Sequence, residues 1–242
     1  MTRSTPEMLA GLTFTAPPER RGRIVAVVLQ RVDAARPCRV LDLGCGTGLN
    51  ALALAEALPR AAVTGVDLSA SSVARAEAAR RGHPAAARLS FVAADYLAFT
   101  GGPFDVIVSE TVLHTIPGST DTLFDKIARD LTPHGLLVYT MPTGGPGNAA
   151  LTLFRRVLRR LRSPVTDSFI LAVARTLHGR AYDDTLLRER IPYMYLVPSR
   201  HDGPGLHARL QARWGFQILA TEPVPRTSCA QLTHHLVVAR RG

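Results

Sequence analysis

Cysteine is scarce in this chain. Cys38, Cys45 and Cys229 are scattered and none makes a C-x-x-C pair, which argues against a disulfide frame or a thiolate zinc centre and points to a reducing compartment. No apolar run reaches the ~20 residues of a membrane span. Met1 to Phe14 lacks the apolar stretch of a secretory signal, so the expected location is the cytoplasm. There is no internal repeat and no low-complexity linker. Lysine is nearly missing too: every basic residue except Lys126 is arginine.

With 242 residues and 46% apolar content, the chain can bury a full core, and a single domain with insertions is expected across 1–242. The net charge of +10 is unevenly spread. Residues 1–141 hold 14 basic and 13 acidic side chains, whereas 142–242 hold 15 and 6. A basic C-terminal half implies either an arginine-rich composition bias or an anionic partner: a carboxylate or phosphate, an acidic carrier, nucleic acid or a membrane surface.

The chain is organised around Arg39 to Leu52, RVLDLGCGTGLNAL. Val40, Leu41 and Leu43 form the short apolar run of a buried strand. Gly44, Gly46 and Gly48 follow, and a helical pattern opens at Leu49. Glycine permits a tight turn and lets a ligand lie against the backbone, while the helix start offers N–H groups and positive dipole. Gly46, Gly48 and Ala51 satisfy the dinucleotide fingerprint, with Asp67 about where its ribose-binding acid belongs. The fuller pattern, Asp42-x-Gly44-x-Gly46-x-Gly48, resembles motif I of the class I S-adenosylmethionine-dependent methyltransferases.

Further strands are expected at Ala62–Val66, ending on Asp67, at Leu89–Ala93 before Asp95, at Phe104–Ser109, at Leu136–Met141, at Phe216–Thr221 and at Leu232–Ala239. Helices are expected at Glu19–Val32, Leu49–Leu58, from a Ser69 cap through Arg80, at Asp121–Leu131, Asn148–Arg162, Asp167–His178 and Leu206–Trp214. Strands alternating with helices imply an α/β fold with a parallel sheet and right-handed crossovers. The resemblance implies a Rossmann-like sheet with an antiparallel last strand, helices on both faces and a helical insertion after the fifth strand. It runs well from Val40 to Met141 and resumes more weakly from Trp214.

In parallel sheets ligands bind beyond the carboxyl ends of the strands, where Asp42, Asp67, Asp95 and Ser109 fall. The resemblance implies that the loop of Gly44, Cys45, Gly46 and Gly48 holds the methionine part of S-adenosylmethionine. Asp67 would accept from the ribose hydroxyls, since a carboxylate can take two donors from a vicinal diol. Asp95 would accept from the adenine amino group, with Leu68 and Tyr96 flanking the ring. Asp42 would meet the methionine ammonium or brace the loop. Asp67 and Asp95 are equally suited to capping the helices that follow, and Cys45 to filling space.

A short-chain dehydrogenase would need Tyr-x-x-x-Lys, but Lys126 follows Thr122. FDVIVS at 104–109, then Val112-Leu113-His114, resembles the methyltransferases instead. So does Leu131-Thr132-Pro133-His134-Gly135, where His134 replaces the first glycine of the family's Leu-x-Pro-Gly-Gly.

His114 and Glu110 are the candidate bases, His114 because its ordinary pKa leaves it mostly neutral at pH 7; packing beneath the cofactor is the other role open to it. No Asn/Asp-Pro-Pro-Tyr/Phe motif, Pro-Cys nucleophile or acidic metal triad is present, which disfavours nucleic-acid and metal-dependent methylation. The expected substrate is a small, anionic or carrier-bound metabolite rather than nucleic acid, with no metal and no transmembrane span; an RNA or DNA methyltransferase and a non-catalytic methyltransferase-like binding protein are the alternatives. Its pocket should come from Met8–Phe14 and from an insertion over 142–206, with 1–18 and the turn at Gly144–Gly147 closing over the cofactor. The arginine-bearing helix at Asn148–Arg162 reads as a solvated face, with a membrane surface as the alternative.

Overall fold

The computed structural model describes residues 18–178, 184, 187–188, 191–226 and 231–242; the expected arm contacts at Met8–Phe14, and Cys229, lie outside them. Helix α1 (Pro18–Leu29) leads into β1 (Cys38–Leu43), α2 (Leu49–Ala57), β2 (Ala61–Asp67), α3 (Ala70–Arg81) and β3 (Leu89–Ala93). Then follow β4 (Phe104–Ser109), α4 (Thr120–Asp130), β5 (Leu131–Pro142), α5 (Pro146–Arg160), α6 (Pro164–His178), α7 (Pro204–Trp214), β6 (Phe216–Val224) and β7 (His234–Arg241).

The seven strands form one sheet in the order β3-β2-β1-β4-β5-β7-β6. Strands β1 to β5 pair in parallel. Strand β7 slots antiparallel between β5 and β6, the reversal expected for the last strand. The chain turns back between β1 and β4, so the C-terminal ends of these two strands flank the switch point where such sheets bind ligands.

Two apolar layers cover the sheet. One joins Ile24, Val28, Ala51, Leu54 and Val73 to the strand residues Val40, Val63, Val106 and Val138. The other joins Phe124, Ile127 and Leu210 to Leu41, Ile107, Leu137, Tyr139 and Val237. Alternation along each strand feeds both layers, which is why the central strands are apolar at nearly every position. Helices therefore lie on both faces.

The helix that sequence ends at Leu131 stops at Asp130, and β5 starts at once: Leu131 already pairs with Phe104, while Leu136 pairs with Val106. Thr132-Pro133-His134-Gly135 is the bulge between these pairings, not a loop before the strand. His134 sits there at φ 62, the left-handed region for which glycine is the usual choice. The capping prediction at Ser69 holds, its hydroxyl accepting the Ser72 N–H at 3.2 Å.

Candidate active site

The glycine loop is wired to β2. Gly44 and Cys45 donate their N–H groups to the Val66 carbonyl at 2.7 and 3.1 Å. Gly46 N–H donates to Asp67 Oδ2 and Ser69 N–H to Asp67 Oδ1, both at 2.8 Å. Gly44 (φ 76) faces Val112 so closely that a Cβ there would lie 2.3 Å from a Val112 methyl. Glycine is thus required twice over, by the backbone conformation and by the space.

Asp67 is a buried carboxylate whose two oxygens each take one backbone donor. An ionised carboxylate offers about four acceptor sites, so capacity remains for a ligand's hydroxyls. Burial raises its pKa, and the bonds from Ser69 and Gly46 pull against that rise. Asp42, at the end of β1, is only 1% exposed. It accepts the Ala51 backbone N–H, but its Oδ2 has no hydrogen-bond partner. Burial, then the charges of Glu110 and Asp67, push its pKa up to about 8.

Beside it, Asn50 donates through Nδ2 to Glu110 Oε2 at 2.9 Å while the buried Asn50 Oδ1 lacks a partner. Buried polar atoms without partners are costly. An orphaned carboxylate oxygen and amide oxygen beside Glu110 form an acceptor-rich corner suited to an ammonium. That chemistry fits the amino group of S-adenosylmethionine, with the glycine loop as cradle.

The other expected residues sit differently. Asp95 is exposed and its Oδ1 accepts the Leu97 N–H at 2.9 Å. Leu68, the residue after the end of β2, is half-buried. Tyr96 turns into the core: the Lys126 ammonium lies 4.8 Å over its ring, and burial with the Asp130 charge raises its pKa. Its ring therefore belongs to the α4 layer, not to an adenine slot. Ser109 spends its hydroxyl on the Leu43 carbonyl at 3.0 Å, stitching β4 to β1. The Cys45 side chain is buried against Gly65, and burial raises its pKa, the space-filling role.

Past β4, Thr111 is held at φ 58, its N–H on Thr140 Oγ1 at 2.7 Å. A β-branched residue in that region is strained, and the strain lies between Glu110 and the loop bearing His114. Arg200 pins this loop through the carbonyls of Leu113, Ile116, Gly118 and Ser119, at 2.6 to 3.1 Å.

His114 is buried, with Nδ1 lacking a hydrogen-bond partner and its ring 5.7 Å from that of His234, edge-on. Its pKa is held well below the ordinary value, first by burial and then by His234, Arg155, His201 and Arg200. Arg155 reaches this region from α5, buried, its Nη1 on the Leu196 carbonyl at 3.1 Å; burial draws its pKa down to about 10. Asn50, Thr111, Arg155, Arg200 and His234 escaped the sequence reading. Only Asn50 carried a signal there, as the second residue of the helix after the glycines. Among the described residues no cluster of His, Cys, Asp or Glu could hold a metal ion, and no helix is long and apolar enough to cross a membrane.

The methyltransferase domain family matches residues 40–135. Trans-aconitate 2-methyltransferase of Streptomyces avermitilis is 37% identical over 127 residues, covering 51% of this chain and 47% of that protein. Malonyl-[acyl-carrier protein] O-methyltransferase of Geobacter sulfurreducens is 33% identical over 109 residues, covering 45% and 40%. The chain thus spans about half the length, 47% and 46%, of the first curated relatives it matches.

Among solved structures, magnesium protoporphyrin IX methyltransferase of Synechocystis PCC 6803 with bound SAH superposes at TM-score 0.62, with 17% identity, covering 93% of this chain and 82% of that one. N-methyltransferase NodS of Bradyrhizobium japonicum WM9 superposes at 0.57 with 18% identity, covering 92% and 86%. At such identities the likeness speaks for fold. Sheet order, glycine loop and the match over 40–135 agree on a Rossmann-like fold, in which residues 40–135 match the methyltransferase domain family.

Proposed function

We propose that this chain, working as a single domain over 1–242, transfers methyl from S-adenosylmethionine to a carboxylate of a small or carrier-bound acid, forming a methyl ester. The observation that carries this reading is the pair of buried guanidinium groups beyond β4, Arg155 and Arg200, whose charges reach the buried His114. A buried guanidinium is suited to a carboxylate, which it can meet with two parallel N–H bonds. The similarity to trans-aconitate 2-methyltransferase and malonyl-[acyl-carrier protein] O-methyltransferase supports an anionic acceptor.

S-adenosylmethionine supplies an electrophilic sulfonium methyl. Asp67 and Asp42 with Asn50 would hold its polar groups. A carboxylate acceptor is already ionised at neutral pH, its ordinary pKa lying near ~4, so no base is needed. His114, neutral because of burial and its cationic neighbours, then orients the acceptor rather than removing a proton, and Glu110 keeps Asn50 in place. Alignment and exclusion of water complete the requirement. Asp95 and Leu68 are left as adenine-side contacts, and the insertion over 142–206 as the substrate wall and lid.

The test supplies labelled S-adenosylmethionine with a panel of di- and tricarboxylic acids and acyl carrier conjugates. A base-labile product that releases volatile methanol is expected. A base-stable product on nitrogen or carbon, or labelling of RNA alone, would sink the ester reading while leaving the cofactor assignment intact.

A further inference from the structure

Helix α5 is inside out. Its polar residues Asn148, Thr152 and Arg155, spaced as one helical face, are buried, whereas Leu153, Phe154, Val157 and Leu161 at its end face solvent. The sequence reading had the arginines on the solvated side, yet Arg155 points inward and the apolar stripe outward. Helix α6 continues the pattern, with Val165, Phe169 and Val173 exposed at every fourth position. Leu161 at 64% and Val165 at 78% exposure straddle the turn between the helices, where Thr166 Oγ1 closes on the Leu161 carbonyl at 2.7 Å, so the two stripes meet there. Large exposed apolar patches are uncommon on proteins that work alone in water.

Along α5 the charge is one-sided: Arg156 and Arg160 are exposed and the helix has no acidic residue, while Arg162 past its end lies 3.9 Å from Asp167 of α6. We infer that the α5–α6 face docks on an anionic phospholipid bilayer, with its Leu, Val and Phe side chains in the acyl boundary and the arginines on headgroup phosphates. Arginine at the edge of an aliphatic and phenyl face is the composition of an interfacial helix. The bilayer would meet the outer side of the helix whose inner side carries Arg155. This inference does not depend on which acceptor is methylated.

The full chain is floated with phosphatidylcholine vesicles, with and without phosphatidylglycerol, beside a Val157→Ser/Leu161→Ser/Phe169→Ser variant and an Arg156→Glu/Arg160→Glu variant. Wild type should float with the anionic vesicles, the serine variant should lose roughly tenfold or more in partitioning, and charge reversal or added salt should weaken only the phosphatidylglycerol-dependent part. Circular dichroism and S-adenosylhomocysteine binding check that both variants fold. No flotation of the wild type, or undiminished flotation of the serine variant, overturns the inference. So does a wild-type dimer, or retention on an acidic carrier protein, that the serine variant abolishes while vesicles bind neither form.

Discussion

Asp67 Oδ2 accepts the backbone N–H of Gly46 at 2.8 Å, so the acid at the end of β2 and the middle glycine of the loop after β1 are one unit. The residue expected to hold a ribose also sets the shape of the loop expected to receive the rest of the cofactor.

Asp67→Ala should therefore cost more than two ligand bonds. It strands the N–H groups of Gly46 and Ser69, at about 1–3 kcal/mol for each buried donor left unsatisfied. Isothermal titration with S-adenosylhomocysteine should show affinity at least about tenfold weaker, and urea unfolding should show a lower midpoint. A folded variant with wild-type affinity would remove Asp67 from the site.

Gly44→Ala should be destabilised by roughly 2–4 kcal/mol, since the added methyl is both strained at positive φ and driven into Val112. Adding Val112→Ala should recover the steric share and not the backbone share. Full recovery in the double variant would mean that the left-handed conformation costs nothing here.

The stability of the unliganded protein should fall as pH rises from 6.5 to 8. Asp42 has its pKa raised to about 8 from 3.8, so the folded state holds a proton that the unfolded state releases. The stability it contributes is complete below pH 3.8 and is lost as pH climbs through 8. Asp67, also raised, acts in the same sense. His114 and His201, both depressed, oppose them most strongly below pH 6.5, an effect that fades by about pH 7.5. The decline should be about 1–2 kcal/mol, and Asp42→Asn should remove most of it in urea titrations across that range. A flat wild-type profile would show that Asp42 is ionised throughout.

His134→Gly should stabilise the protein by about 0.5–1 kcal/mol, relieving the left-handed strain at φ 62 net of glycine's greater unfolded-state entropy. Differential scanning calorimetry should register a rise in Tm of a few degrees. A lower Tm would mean that the imidazole makes contacts worth more than the strain.

The loop, its anchoring acid and the sheet around them were legible because each is a local pattern. Apolar runs of strand length, glycines at a helix start and acids at strand ends are dictated within a few residues of chain. Asp67, Asp42 and the three glycines could be placed from spacing alone. Tyr96 could not: following an acid at a strand end says nothing about whether its ring turns toward the ligand or, as here, under Lys126.

Helix α5 marks the boundary between the two kinds of information. Its sequence determined that it is amphipathic, with apolar residues at helical spacing and arginines between them. Which side turns inward is decided by what the rest of the fold offers as a surface. Here Arg155 turns inward onto the Leu196 carbonyl and Phe154, Val157 and Leu161 are left outside. Periodicity fixes the relative phase of two faces, because neighbouring side chains are 100° apart around the helix, but the absolute direction is a long-range property that only tertiary contacts supply.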